Sequence, residues 1–141
     1  MSALTIERET QKMSGDAINV AKYTLKVKGS TKIFAGSLVC IDSGYAKPCT
    51  AAAGLIAAGK AMLTADNTTG ADGAISVYVE PGTFKWDPKS GDAPVQANVG
   101  ALCYMTDDHT VQMTATTNSA AGHVIQVDAD GGVWVQTGIG I

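Results

Sequence analysis

The sequence predicts an all-β protein: a single-domain β-sandwich or β-barrel of short antiparallel strands, preceded by an extended N-terminal arm. Three observations carry this. Apolar and polar residues alternate with period two in one stretch after another. Turn-forming residues separate those stretches at short intervals, and no segment sustains a helical period. With 141 residues, 45% of them hydrophobic, the chain suits one domain. A chain of this size buries roughly two-thirds of its unfolded surface, so it needs neither disulfides nor metal to stay folded.

Residues 1–20 are polar and unpatterned, which reads as an arm ordered only by contact with something else. The β domain is assigned to residues 21–141. In the stretch 23–28, Tyr23, Leu25 and Val27 face one way and Thr24, Lys26 and Lys28 the other. The same alternation sets Ile75, Val77 and Val79 against Ser76, Tyr78 and Glu80. Further strands are expected at 37–42, 45–50, 60–64, 83–87, 101–105, 109–114, 123–128 and 133–137. Ser43-Gly44, Pro81-Gly82, Ser90-Gly91-Asp92, Asp107-Asp108 and Asp130-Gly131-Gly132 supply the turns between them. The Ala-rich piece 50–58 is read as one helical turn or a loop.

The chain also echoes itself. Gly36-Ser37-Leu38 returns as Gly100-Ala101-Leu102, 64 residues on, and Ala57-Ala58-Gly59-Lys60 returns as Ala120-Ala121-Gly122-His123, 63 residues on. Two related β units packed together would explain this, and so would chance in an Ala- and Gly-rich chain.

Charge is sparse, at 16% charged residues and a net −3, but uneven. Residues 1–32 hold six cations (Arg8, Lys12, Lys22, Lys26, Lys28, Lys32) against three anions, while the rest holds four cations and ten anions. Such a basic front can orient a protein on a charged partner, and the six cations are the candidate contacts. Lysines that block unwanted pairing of an early edge strand would look the same. The acidic balance of the whole, with a pI near 5.1, argues against a nucleic-acid binder. No apolar run of signal-peptide or membrane-spanning length occurs, so synthesis and retention in a cytoplasm are expected unless the chain leaves within a particle. Cys40, Cys49 and Cys103 make an odd count, which fits free thiols in a reducing compartment.

Motifs that suggest chemistry are each incomplete. Gly54 to Ala61 approaches a phosphate-binding loop, but Ala61 stands where a magnesium-binding hydroxyl is needed. Asp128-Ala129-Asp130-Gly131 starts like a calcium loop and lacks the later ligands; a hairpin turn accounts for it. Cys103 and His109 lie on adjacent expected strands without any signature of a nucleophile and its base. Enzymatic activity, cofactors, metals and small-molecule substrates are therefore not expected. The aromatics fall about one per strand or turn. Phe34, Phe84, Trp86, Tyr104 and Trp134 are assigned to the core or to a subunit interface, Phe84 and Trp86 being the one pair placed to form a glycan platform.

Taken in order, these phrases resemble a known family. Ser30 to Asp42 (STKIFAGSLVCID) is followed by Gly59-Lys60-Ala61, the loop Asp66 to Gly73 (DNTTGADG) and Val77 to Phe84 (VYVEPGTF). Then come Val99 to Tyr104 (VGALCY), Thr106 to Val111 (TDDHTV), Ser119-Ala120-Ala121-Gly122 and Val127 to Val135 (VDADGGVWV). The series, over roughly residues 28–136, is similar to the structural cement proteins that decorate the heads of tailed bacteriophages. That resemblance implies a β-rich, non-catalytic subunit made in the bacterial cytoplasm and bound to the outer capsid surface of the virion. It implies the major capsid protein as partner, a homo-oligomer (dimer or trimer), and no nucleic acid or membrane. The first 20 residues fall outside the match; that they grip the capsid as an arm is an expectation of its own. Two alternatives stay open: a tail, baseplate or fibre component, and a carbohydrate-binding module.

Overall fold

The structure, a computed structural model, describes residues 22–140. The arm expected over residues 1–20, with Arg8 and Lys12, lies outside the described residues.

The fold is all-β and forms two consecutive units. The first contains β1 (Tyr23–Lys26), β2 (Thr31–Ile33), β3 (Leu38–Asp42), β4 (Tyr45–Pro48), β5 (Ile56–Ala61), β6 (Ala65–Asn67) and β7 (Ser76–Glu80). The second contains β8 (Gly82–Pro88), β9 (Leu102–Met105), β10 (Thr110–Gln112), β11 (Ala120–Val127) and β12 (Val133–Thr137), with a 3-10 turn at Gln96–Asn98. Only Pro81 separates β7 from β8, so the units are joined tightly.

Sheet order repeats. The first unit runs β1-β7-β5-β3-β4, and the second runs β8-β12-β11-β9-β10, closing as a barrel where β10 meets β8. That closing pair is parallel, with Val111 opposite Pro88, whereas an entirely antiparallel arrangement was expected. Its counterpart in the first unit is a single parallel bridge between Val27 and Ala46, backed by the Lys28 N–H donating to the Ala46 carbonyl at 2.9 Å. Closure removes free strand edges, which otherwise invite pairing with other chains.

The registers coincide residue for residue. Leu38, Val39 and Cys40 oppose Lys60, Gly59 and Ala57; Leu102, Cys103 and Tyr104 oppose His123, Gly122 and Ala120. Each β5 and β11 ladder skips one residue, Ala58 or Ala121, as a bulge. Lys60 and Ala61 then face Glu80 and Val79, as His123 and Val124 face Gln136 and Val135. The loops agree as well: Gly36 N–H donates to the Ala61 carbonyl, and Gly100 N–H to the Val124 carbonyl. The echo read in the sequence is therefore an internal duplication of one five-stranded plan, a closed barrel in the second unit and, in the first, a barrel joined by a single bridge.

Alternation makes the two cores. Val39, Ala46, Ala58, Val77 and Val79 fill the first barrel, with Ile33 and Ala65 of the small β2–β6 ladder packed against them. Trp86, Cys103, Met105, Val111, Val124, Val133 and Val135 fill the second. Two expectations shift and two strands are new. The strand placed at 60–64 runs from Ile56 to Ala61, so part of the Ala-rich piece is strand, not helix; the bulge breaks the alternation that would have marked it. β2 and β6 went unanticipated, because three residues are too few to show a period.

Candidate interaction surfaces

The described lysines of the basic front occupy β1, β2 and the segment between them. Lys26 points outward from β1, beside exposed Thr24. Lys28 Nζ donates to Asp42 Oδ2 at 2.6 Å; this pairing raises the lysine pKa and lowers that of Asp42. Lys32 lies 4.0 Å from Asp66 and 4.9 Å above the Phe34 ring. Lys22, at the edge of the described chain, is half-buried. Local carboxylates thus offset the charge of Lys28 and Lys32, and the front forms no continuous cationic stripe through those two positions.

The aromatics divide between core and surface. Trp86 is buried, Phe84 packs partly against the same core, and Tyr104 and Trp134 are half-buried. Phe34 is 57% exposed, so it belongs to the surface and not to the core. Phe84 and Trp86 meet edge to face, centroids 6.1 Å apart at 63°. With Trp86 buried, they do not form a coplanar exposed platform. Lys60 Nζ lies 5.1 Å from the Phe84 centroid, one of the links between the barrels.

The sequence motifs resolve into structural devices. Asp128 Oδ2 accepts from Trp134 Nε1 at 2.9 Å, and Oδ1 from Gln126 Nε2 at 2.7 Å. Lys85 Nζ sits between Asp130 at 2.8 Å and Asp128 at 3.2 Å. These bonds, Gln126 foremost, hold the Asp128 pKa down at about 2. The carboxylates that resembled a calcium loop are thus engaged in locking the β11–β12 hairpin to β8. Of the segment Gly54 to Ala61, residues Ile56–Ala61 form β5, and Gly59 lets the backbone approach Glu80 closely.

Cys103 is buried among Met105 and Val111, and burial pushes its thiol up to about 12. His109 is exposed on the β9–β10 turn, its Nδ1 3.0 Å from Asp108 Oδ1, and that contact raises its pKa. The two residues therefore sit in opposite environments, core and solvent. Asp107, Asp108 and His109 bring ligand-capable atoms within 4.8 Å of one another; Asp107 Oδ1 already accepts the His109 N–H at 2.9 Å. A cleft of about 150 Å³ lies between Leu55–Ala57 and Ala120, Gly138 and Gly140, below the roughly 300 Å³ of ordinary small-molecule sites. Among the described residues no helix is long and apolar enough to cross a membrane.

What sequence reasoning missed is a set of uncovered apolar residues on each barrel. Phe34, Leu63 and Tyr78 are exposed on the first, and Val95, Val99, Leu102 and Ile125 on the second. Tyr78 and Trp134 hold equivalent outward places, opposite Thr24 and Lys85. No protein-family model, curated protein or solved structure matches the chain.

Proposed function

We propose that this protein is a head decoration (cement) subunit of a tailed bacteriophage, acting by binding and not by catalysis. It sits on the outer face of the major-capsid lattice and stabilises the mature, expanded head. The observation that carries the reading is the duplication. Two barrels of one plan, fixed against each other and presenting equivalent outward positions such as Tyr78 and Trp134, suit a partner that offers the same surface repeatedly. Two weak contacts made by one rigid body multiply, and repetition over a lattice multiplies them again. The expanded shell is favoured to the extent that its geometry alone presents both sites at the right spacing.

Further support comes from the ordered series of phrases resembling cement proteins, from sparse charge, and from the exposed apolar residues. The cations Arg8, Lys12, Lys22 and Lys26 supplement the contact on this reading, with Lys28 and Lys32 weakened by their carboxylates. A homo-oligomer on the virion, without nucleic acid, membrane or cofactor, completes it.

The test is co-sedimentation of purified protein with expanded heads stripped of this subunit, beside unexpanded precursor heads. Saturable binding to expanded heads alone is expected. Absence of binding to either overturns the reading and points to the tail, baseplate or fibre.

A further inference from the structure

The joint between the barrels shows how this fold covers an apolar flank. Outward-facing Leu38, Cys40 and Ala57 of the first barrel are buried, Leu38 and Cys40 completely, and they pack into the core cluster of the second. Hydrogen bonds fasten the contact. Leu38 N–H donates to the Asp108 carbonyl at 2.7 Å and Ser119 N–H to the Ala52 carbonyl at 3.0 Å; Leu55 N–H donates to Ser119 Oγ at 3.0 Å.

The duplication places Leu102, Tyr104 and Ala120 where the first barrel has Leu38, Cys40 and Ala57. There the flank is open: Leu102 is 37% exposed, and Val99 and Ile125 beside it are 42% and 46% exposed. The segment holding Val99 and Leu102 is tied to β11 by Gly100 N–H to the Val124 carbonyl and Val124 N–H to the Ala101 carbonyl. These bonds hold Val99, Leu102 and Ile125 on neighbouring, mutually braced segments. Ala93 to Thr106 contains no charged residue, and His123 is the residue paired with Leu102, so this side of the flank suits a neutral, apolar partner.

We infer that this flank of the second barrel seats a second copy of the chain, which covers Leu102 with a barrel of its own. The occupant follows from continuity with the internal joint: the same position in the same fold is already covered by a barrel of this sequence. Because the internal joint is not self-complementary, Leu38 being buried and Leu102 open, its repetition between chains is heterologous. It closes a ring where the rotation permits.

The experiment compares the sedimentation mass of the full chain with those of Leu102→Asp, Val99→Asp and, as a control, Leu63→Asp, a more exposed apolar site on the first barrel. Circular dichroism checks that each variant is folded. Wild type and Leu63→Asp are expected at a multiple of the 14.4 kDa chain mass, and Leu102→Asp and Val99→Asp at the single-chain mass. A wild type that stays single at its highest soluble concentration overturns the inference. So does a folded Leu102→Asp that keeps the wild-type mass. The inference rests on the homo-oligomer of the proposed function and gives it a surface; head binding is read separately by the co-sedimentation above, so the two can fail apart.

Discussion

Gly59 and Gly122 hold one structural position in two barrels. Each follows a bulge residue, each has a positive φ, 147° and 151°, and at each a Cβ would overlap a carbonyl oxygen of the facing strand, Glu80 or Gln136. Neither oxygen belongs to a side chain that could turn away. Gly59→Ala and Gly122→Ala are each expected to lower stability by about 2–4 kcal/mol in denaturant unfolding, through backbone strain and steric overlap. Gly54 also has a positive φ, 77°, but faces open space, so Gly54→Ala is expected to cost only about 1 kcal/mol. Equal costs at all three would contradict the close approach.

Asn67 organises the loop from Asp66 to Gly73. It is 3% exposed, and its Nδ2 donates to the carbonyls of Val27, Lys28 and Ala71 at 3.2, 3.1 and 2.9 Å. Asn67→Ala is expected to cost about 2–3 kcal/mol, because it leaves buried acceptors without that donor. Amide exchange around Gly29 and Asp72, which share a 2.8 Å bond, should accelerate in the same variant.

Acid weakens the protein through its paired carboxylates. The Asp128 pKa falls from an ordinary 3.8 to about 2, and those of Asp42, Asp66 and Asp130 are also lowered, by Lys28, Thr68 and Lys85 respectively. A depressed folded-state pKa contributes stability that is present above the unfolded value and lost as pH falls through the folded one. Stability is therefore expected to drop between about pH 4 and pH 2. Asp128→Asn should flatten that limb while lowering stability at neutral pH, as read by thermal melts across the range.

All three cysteines are buried, and burial raises the pKa values of Cys49 and Cys103. A thiol reagent is expected to label none of them quickly in the folded protein and all three in denaturant: Cys49 and Cys103 are held as thiols, the unreactive form, and Cys40, whose pKa the Cys49 contact lowers, is shielded by burial alone. Rapid labelling of one thiol in native buffer would show that the joint at Cys40 and Cys49 opens.

Much of this fold was legible from local alternation. Val77 and Val79 face inward and Ser76 and Tyr78 outward as period two requires, and the Asp130-Gly131 turn falls where expected. The sequence pattern places β5 too late, at 60–64, because alanine is a weak apolar marker and Ala58 interrupts the alternation. The parallel contacts of Val27 with Ala46 and of Pro88 with Val111 join positions distant in sequence, so no local pattern announces them. The interaction surfaces were least legible of all. Leu38 and Leu102 sit in nearly identical local contexts, and only the packing of whole barrels makes one core and the other surface.

The single-residue link at Pro81 has a consequence for synthesis. Every strand of the first barrel precedes it and every strand of the second follows. A ribosome adding about 5–20 residues per second releases β7 roughly 3–11 s before β12. The first barrel can thus fold alone, with the flank of Leu38, Cys40 and Ala57 bare until its sister arrives. Two of those three side chains are small, so the flank left waiting for its cover is only mildly adhesive to other nascent chains.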